Sequence, residues 1–224
     1  MTNVLVILSG CGVMDGSEIH EAVSTLVHLD RHDAKVTIAA PDVDQMHVID
    51  HHTGQPMDDS RNVRIEAARI ARGPVKDLAE VNGGAFDAVV LPGGFGAAKN
   101  LCTFATEGAD CSINSEAERV LREAKDGGAV LGFICISPVI AAKLFPGSEL
   151  TIGTDPSTAD AIEQMGASHL ERPTEDIHVD SANRIVSTPA YMSAERIREV
   201  YTGIGRLVDE VMSLTRTTAG AGAG

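Results

Sequence analysis

Short runs of apolar, β-branched residues alternate along the chain with longer segments in which apolar residues recur at helical spacing. Val4–Leu8 is a continuous apolar run, which predicts a strand covered on both faces. The segment DGSEIHEAVSTLVHLDRH follows with helical periodicity, and Asp15 or Ser17 is placed to cap its start. A second strand is predicted in AKVTIAAP. Together these elements predict a βαβ unit with parallel strands.

The alternation of strands and helices continues toward the carboxyl end of the chain. Residues 44–60 depart from it, and the turn signal at Thr53-Gly54 predicts a small hairpin there. Further helices are predicted in SRNVRIEAARIARG with Ser60 as its cap, SEAERVLREAKDGG, Pro138–Leu144, STADAIEQMG and about 194–214. Further strands are predicted in FDAVVLPGG, AVLGFICIS and LTIG, and edge strands in DIHVD and RIVSTP.

This order of elements predicts an α/β fold, in which a doubly wound, mostly parallel sheet carries helices on both faces. No internal repeat or linker divides the chain, so we expect a single domain over residues 1–214. Residues 215–224 are rich in Gly and Ala and have no periodicity. We expect them to form a flexible tail.

Composition excludes some partners and suggests a compartment. The net charge of −14 argues against nucleic acid and anionic membranes as partners, since both require clustered Lys and Arg. The cysteines at positions 11, 102, 111 and 135 match no zinc-binding spacing. The first apolar run is too short to span a bilayer. We therefore expect free thiols, a reducing environment and a cytoplasmic location.

Ligands of doubly wound sheets bind at the carboxyl ends of the strands, where this chain carries a cysteine. Cys135 ends the predicted strand AVLGFICIS and precedes a helix that Pro138 is placed to start. The unpaired N–H groups at the start of a helix lower the pKa of a nearby thiol. Cys135 is therefore either a nucleophile positioned for catalysis or a small apolar side chain that fills the core.

Two further motifs have residue types that could assist a nucleophile in catalysis. Gly93 and Gly94 end another predicted strand, and the N–H groups of Gly94 and Ile136 are candidate donors to an oxyanion. Glu18 and Glu21 share one face of the first helix, where a carboxyl group with a raised pKa can carry protons. The alternatives are a tight glycine turn and two solvated acids. His20 is expected to point elsewhere on the helix.

Several motifs spread over the chain resemble one known family. The segments ILSGCGVMDGSEIHEA, LPGGFGAAKNL, GFICISP, LTIGTD and TPAYM are similar to the isoprenoid-biosynthesis glyoxalase group, also labelled ElbB. That group belongs to the ThiJ/PfpI superfamily, so the resemblance implies a class-I glutamine-amidotransferase-like, flavodoxin-like fold. The resemblance covers the whole chain except the Gly/Ala tail.

The resemblance implies roles for individual residues. The superfamily's elbow cysteine falls on Cys135, and its first-helix glutamate falls on Glu21, with Glu18 one turn earlier. Its glycine-rich oxyanion turn falls on Gly93 and Gly94. These five positions are the predicted catalytic and oxyanion-binding residues, together with the N–H group of Ile136.

The chain also departs from the superfamily pattern. Many members have His directly after the cysteine, whereas this chain has Ile136, which argues against protease-like chemistry. Amidotransferases need a downstream His-x-Glu, and the nearest match here is His178 with Asp180. The resemblance therefore implies cofactor-free conversion of glyoxal or a related dicarbonyl to a 2-hydroxy acid such as glycolate, without metal or nucleotide. It also implies a homodimer.

Two other readings of the cysteine remain open. One is a redox-sensing or regulatory binding protein in which Cys135 reacts with oxidant and turnover is incidental. The other is an idle scaffold with an unreactive thiol.

Remaining candidates lie around the predicted site. Cys11, Asn100 and Tyr191 are candidates to line the pocket. The alternatives are a surface position for Asn100, and packing or a role as resolving thiol for Cys11. The residues His47, Asp50, His51 and His52 include metal-ligand types. The adjacent Thr53-Gly54 turn favours an exposed hairpin tip without a metal.

Overall fold

The protein is described here from a computed structural model, which covers the backbone of residues 1–221 and the side chains of residues 1–215. Its strands are β1 (Asn3–Ile7), β2 (Lys35–Ala40), β3 (Ile49–Asp50), β4 (Gln55–Pro56), β5 (Lys76–Asp77), β6 (Ala88–Leu91), β7 (Val130–Ile134), β8 (Glu149–Leu150), β9 (Ser168–His169), β10 (His178–Asp180) and β11 (Ile185–Thr188). Its helices are α1 (Ile19–Arg31), α2 (Val63–Ala71), α3 (Phe95–Lys99), α4 (Phe104–Glu107), α5 (Ser115–Asp126), α6 (Pro138–Leu144), α7 (Pro156–Gln164) and α8 (Ile197–Ala221).

A seven-stranded sheet forms the centre of the molecule, in the order β10-β11-β7-β6-β1-β2-β5. All neighbouring strands are parallel except β10, which runs antiparallel to β11. The predicted doubly wound, mostly parallel sheet is therefore confirmed.

Both faces of the sheet are buried, as the continuous apolar runs predict. In β1, Val4 and Val6 pack into a cluster with residues of α1 and α8, while Leu5 and Ile7 pack with α5, α6 and α7 on the other face. Alternate side chains of a strand point to opposite faces, so a strand with helices on both sides needs an unbroken apolar run.

Sheet topology brings the functional candidates to one edge. The chain passes from β1 to β2 on one side and later places β6 on the other side of β1. This reversal creates a switch point, and the segments that follow β1, β6 and β7 meet beyond the carboxyl ends of those strands. Cys135, Gly93 and the start of α1 belong to these three segments.

Some predicted elements differ from the structure. The hairpin of β3 and β4 is confirmed, but β11 lies inside the sheet between β7 and β10, so the prediction of an edge strand was wrong. Strand β8 pairs with β9 in a separate two-stranded sheet. Helix α2 starts after Asn62, whose side chain accepts the N–H of Ile65, so the predicted cap Ser60 lies outside it.

The last helix is longer than predicted. It runs from Ile197 to Ala221, so residues 215–221 of the predicted tail continue α8. The rest of that prediction, residues 222–224, lies outside the described residues.

Candidate active site

Cys135 occupies a sharp turn between a strand and a helix. It follows the last residue of β7, and its φ of 64° lies in the left-handed region, which costs a non-glycine residue about 1–3 kcal/mol. Its N–H donates to the carbonyl oxygen of Thr188 at 3.0 Å, and only 7% of the residue is exposed. The turn therefore holds the sulfur in one position at the edge of the sheet.

Ser137 fixes this turn from inside, a role that sequence analysis missed. Its hydroxyl oxygen accepts the N–H of Ile134 at 2.8 Å and lies 2.8 Å from the carbonyl oxygen of Leu91 in β6. Ser137 is fully buried and stands at the N-cap position of α6. The available signal was a serine directly before Pro138, a common arrangement at the start of a helix.

Glu21 lies beneath the cysteine and is fully buried. One carboxyl oxygen accepts the N–H of Gly93 at 2.9 Å, and the other accepts the N–H of Tyr191 at 3.2 Å. The carboxyl group also lies beside the Cys135 side chain, because both flank Gly93, and it interacts with the thiol. Burial, reinforced by the nearby Glu18, raises the pKa of Glu21 to about 8. At neutral pH most of this group is therefore the protonated acid.

Glu18 has a different position from Glu21. It is the N-cap of α1, and its carboxylate accepts the N–H of Glu21 at 2.7 Å. The prediction of Asp15 or Ser17 as the cap was wrong, because both side chains are engaged elsewhere. Asp15 accepts the N–H of Ile49 at 2.7 Å, and the hydroxyl of Ser17 accepts an N–H just beyond the end of β1.

The thiol of Cys135 differs from its predicted state. Burial raises its pKa well above the ordinary value of 9.0, and the Glu21 carboxyl adds to the effect. The N–H groups of Gly94 and Ile136 point at the sulfur and oppose this increase. The prediction that the helix start lowers the pKa was wrong, because loss of solvation outweighs two backbone hydrogen bonds.

The glycine pair is required by close packing around the cysteine. A Cβ on Gly93 would lie 2.4 Å from the Cys135 Cβ and 2.8 Å from a carboxyl oxygen of Glu21. Gly94 has a φ of 93°, and a Cβ there would lie 2.4 Å from the backbone nitrogen of Glu18. The turn therefore needs glycine for its geometry, and it also presents the N–H of Gly94 to the sulfur.

A cavity of about 470 Å³ opens above the sulfur. Cys135, Glu18, Gly94, Ile136 and Tyr191 line it, together with a group of apolar side chains. The hydroxyl of Tyr191 lies 2.7 Å from Nδ1 of His20, which is exposed and, as predicted, does not line the cavity itself. The structure thus brings the predicted catalytic and oxyanion residues to one place, with Tyr191 at its wall.

Comparison with known proteins identifies the family of this chain. The model of the DJ-1/PfpI family matches residues 4–196. The chain belongs to the DJ-1/PfpI family. Among curated proteins, it is 50% identical to the human glutamine amidotransferase-like class 1 domain-containing protein 3, mitochondrial, over 95% of this chain and 83% of that protein. It is 48% identical to the rat ES1 protein homolog, mitochondrial, over 95% and 84%.

Solved structures of other proteins share the fold. An isoprenoid biosynthesis protein with an amidotransferase-like domain from Ehrlichia chaffeensis superposes with a TM-score of 0.89 at 37% identity, over 96% of this chain and 99% of that one. Glyoxalase III from Candida albicans gives a TM-score of 0.61 at 15% identity, over 95% and 97%, and so shows a common fold alone. The class-I glutamine-amidotransferase-like fold is confirmed.

The comparisons contradict one prediction. Both mammalian relatives are named mitochondrial, and so is the ES1 protein of Danio rerio. The prediction of a cytoplasmic location was wrong, because free thiols indicate reducing conditions and do not specify one compartment. Within residues 1–221, no helix is both long and apolar enough to cross a membrane.

Two residues predicted to line the pocket of this DJ-1/PfpI protein lie outside the cavity. Cys11 is only half-buried and lies near Glu66 and Arg69. Asn100 is buried and holds the loop after β1 in place, because its side-chain amide donates to the carbonyl oxygens of Ser9 and Asp15 at 2.8 and 2.9 Å. Predicting Cys11 and Asn100 as pocket residues was therefore wrong, although both follow strands at the correct edge of the sheet.

The histidine-rich hairpin of β3 and β4 is hydrogen-bonded to the loop after β1. The ring of His51 lies 3.0 Å from the carbonyl oxygen of Ile49 and accepts the N–H of Met14 at 3.2 Å. Asp50 accepts the N–H of His52 at 2.9 Å at the exposed tip. Over the part of the chain that the structure describes, no group of three or more His, Cys, Asp or Glu residues is arranged to hold a metal ion.

Proposed function

We propose that this DJ-1/PfpI protein is a cofactor-independent, glyoxalase-like lyase that converts glyoxal or related small dicarbonyls to 2-hydroxy acids. The observation that carries the proposal is the buried Glu21 carboxyl beside the Cys135 thiol, since both side chains flank Gly93 at the base of a cavity. A nucleophile and a proton carrier in contact are the minimum set for this reaction. The fold shared with a glyoxalase III is consistent with it.

The first step is addition of the thiol to one aldehyde of glyoxal. The S–H bond breaks as the sulfur forms a bond to the carbonyl carbon, and the thiol proton passes to the carbonyl oxygen to give a hemithioacetal. The N–H groups of Gly94 and Ile136 already point at the sulfur, so an oxygen on the attacked carbon lies within reach of both. Two preorganised backbone donors stabilise the charge that develops on this oxygen.

The second step moves a proton between two carbons. The carboxylate of Glu21 removes the proton from the hemithioacetal carbon and returns a proton to the neighbouring carbon. The hydroxyl proton on the attacked carbon passes to the neighbouring oxygen, so that a thioester and a primary alcohol result. Glu21 suits this role better than Glu18, because Glu21 contacts the thiol whereas Glu18 is engaged as a helix cap. Water then hydrolyses the thioester, which releases glycolate and restores the thiol.

Other reactions fit the site less well. His178 lies 3.1 Å from a carboxylate oxygen of Glu149 and is not among the residues around the cavity, so an amidotransferase-like triad lacks its base. The raised pKa of Cys135 limits the thiolate for a redox sensor and for the lyase alike, so glycolate turnover is the result that distinguishes the two.

The test is to incubate pure protein with glyoxal in D₂O and to analyse glycolate by NMR. We expect saturable glycolate formation with deuterium at C2, because a proton carried by Glu21 exchanges with solvent. Boiled protein is the control for spontaneous conversion. No glycolate above this control would refute the lyase, whereas glycolate without deuterium would refute the proton transfer through Glu21.

A further inference from the structure

The cavity above Cys135 is much larger than glyoxal. Its volume is about 470 Å³, whereas one water molecule in the liquid occupies about 30 Å³. Glyoxal has only four non-hydrogen atoms, so most of the space would stay filled with water. Cavities of this size bury ligands with many more atoms.

The wall of this cavity is mainly apolar. Val13, Phe95, Phe104, Ala105 and Met192 contribute to it, and Phe95 remains 54% exposed. Covering apolar surface gains about 25 cal/mol per Å². An apolar group attached to the dicarbonyl would gain this energy, whereas glyoxal and water cannot.

The charged groups around the cavity are acidic. Glu18 and Asp155 line it, and hydrogen bonds from Thr158 lower the pKa of Asp155, so that this carboxylate remains charged. Among the described residues that line the cavity, none is Lys or Arg. The nearby Lys99 donates to the carbonyl oxygen of Met14 at 2.8 Å. A phosphate or carboxylate on the substrate would therefore meet like charge without a cationic partner.

We infer that the preferred substrate is a neutral 2-oxoaldehyde whose ketone carbon carries an apolar group larger than methyl. The inference rests on the proposed function and specifies its substrate class. The overall change adds one water to R–CO–CHO and gives R–CH(OH)–COOH. The aldehyde carbon is oxidised to the acid and the ketone carbon is reduced to the alcohol, so no external oxidant or reductant takes part.

Three substrates test the size of the apolar group. Initial rates are measured for glyoxal, methylglyoxal and phenylglyoxal by the formation of glycolate, lactate and mandelate. We expect kcat/KM for phenylglyoxal to exceed that for glyoxal at least tenfold, with methylglyoxal between them. If glyoxal is converted as well as phenylglyoxal, the inference is wrong while the proposed lyase stands. If none is converted, both are wrong.

A variant pair tests whether the apolar group occupies the cavity. Ala105 is exposed on α4 and lines the cavity, whereas its neighbour Thr106 is exposed on the same helix without lining it. Ala105→Phe should lower the ratio of kcat/KM for phenylglyoxal to that for glyoxal at least tenfold, and Thr106→Phe should leave this ratio unchanged. An unchanged ratio in Ala105→Phe with wild-type thermal unfolding would overturn the placement.

A charged substrate tests the second part of the inference. Phenylglyoxal that carries a carboxylate at the para position has nearly the same ring but adds a negative charge. We expect its kcat/KM to be at least tenfold lower than that of phenylglyoxal. Equal values would contradict the requirement for a neutral group.

Discussion

Cys135 and Cys11 occupy similar places in the sequence and different surroundings in the structure. Each follows a buried strand of the same parallel sheet at its carboxyl edge. Burial raises the pKa of both thiols. However, Cys135 is buried against the Glu21 carboxyl and two N–H groups, whereas Cys11 is half-buried beside Glu66 and Arg69.

This difference shows that a strand end by itself does not make a reactive cysteine. The carboxyl group comes from α1, one N–H comes from the glycine turn after β6, and Tyr191 comes from the segment after β11. These elements converge on Cys135 at the end of β7. Cys11, which follows β1, lies instead near residues of helix α2. The partners of each thiol, rather than its place on the strand, determine what chemistry it supports.

The largest expected effect appears when each of the two cysteines is replaced in turn by serine. Cys135→Ser should lower kcat/KM for dicarbonyl conversion at least about 10³-fold, because serine is a much weaker nucleophile in this position. Cys11→Ser should retain activity within about twofold, since its surroundings hold no part of the proposed mechanism. Both rates are measured by product formation. Similar losses in the two variants would contradict the distinction.

The next largest effect is expected when the acid beside each cysteine is replaced, Glu21 beside Cys135 and Glu66 beside Cys11. Glu21→Gln should lower kcat about 10²–10⁴-fold, since the variant cannot move a proton. Glu66→Gln, beside Cys11, should have little effect on kcat. The control is the thermal unfolding of each variant.

The pH dependence of wild-type kcat sharpens this comparison. The active form of Glu21 is the carboxylate, which forms as pH rises through its pKa of about 8. The rate should therefore rise through that pH and then level off, and the Glu21→Gln variant should lose this step. A rate that is already constant above pH 5 would be incompatible with the buried acid as the base.

A smaller effect, on stability, is expected from glycine substitutions beside Cys135 and after α2. Gly93→Ala forces the added Cβ against Cys135 and Glu21, and should lower the free energy of unfolding by about 1–3 kcal/mol. Gly73 follows α2, and a Cβ there meets nothing within 4 Å, so Gly73→Ala should be nearly neutral. Urea unfolding measures both. Equal stabilities would show that the turn at Gly93 relaxes without cost.

The smallest effect concerns Tyr191. Tyr191→Phe keeps the backbone N–H that binds Glu21 and removes the hydroxyl that bonds His20. We expect a change in KM of about two- to tenfold, the range for one hydrogen bond. Tyr201→Phe, on α8, is the matched control and should leave KM unchanged. A large loss of kcat in Tyr191→Phe would instead assign the hydroxyl to the chemical step.

Sequence reasoning succeeded where the relevant interaction is local or periodic. The apolar run of β7 predicted a strand, and the spacing of Glu18 and Glu21 predicted two acids near the start of one helix. It failed for Cys11 and Asn100, because their position after a strand does not reveal which neighbours other elements bring. Ser137 was missed for the same reason, since its partner Leu91 is remote in sequence.

The sequence alone determined the α/β class, the parallel sheet and the edge at which the functional groups lie, because periodicity and strand ends are local properties of a chain. Only the tertiary structure decided that Glu21 contacts Cys135, that both pKa values are raised, and that the cavity above them is large and apolar. These properties depend on distances and burial between segments far apart in sequence, which no local pattern records.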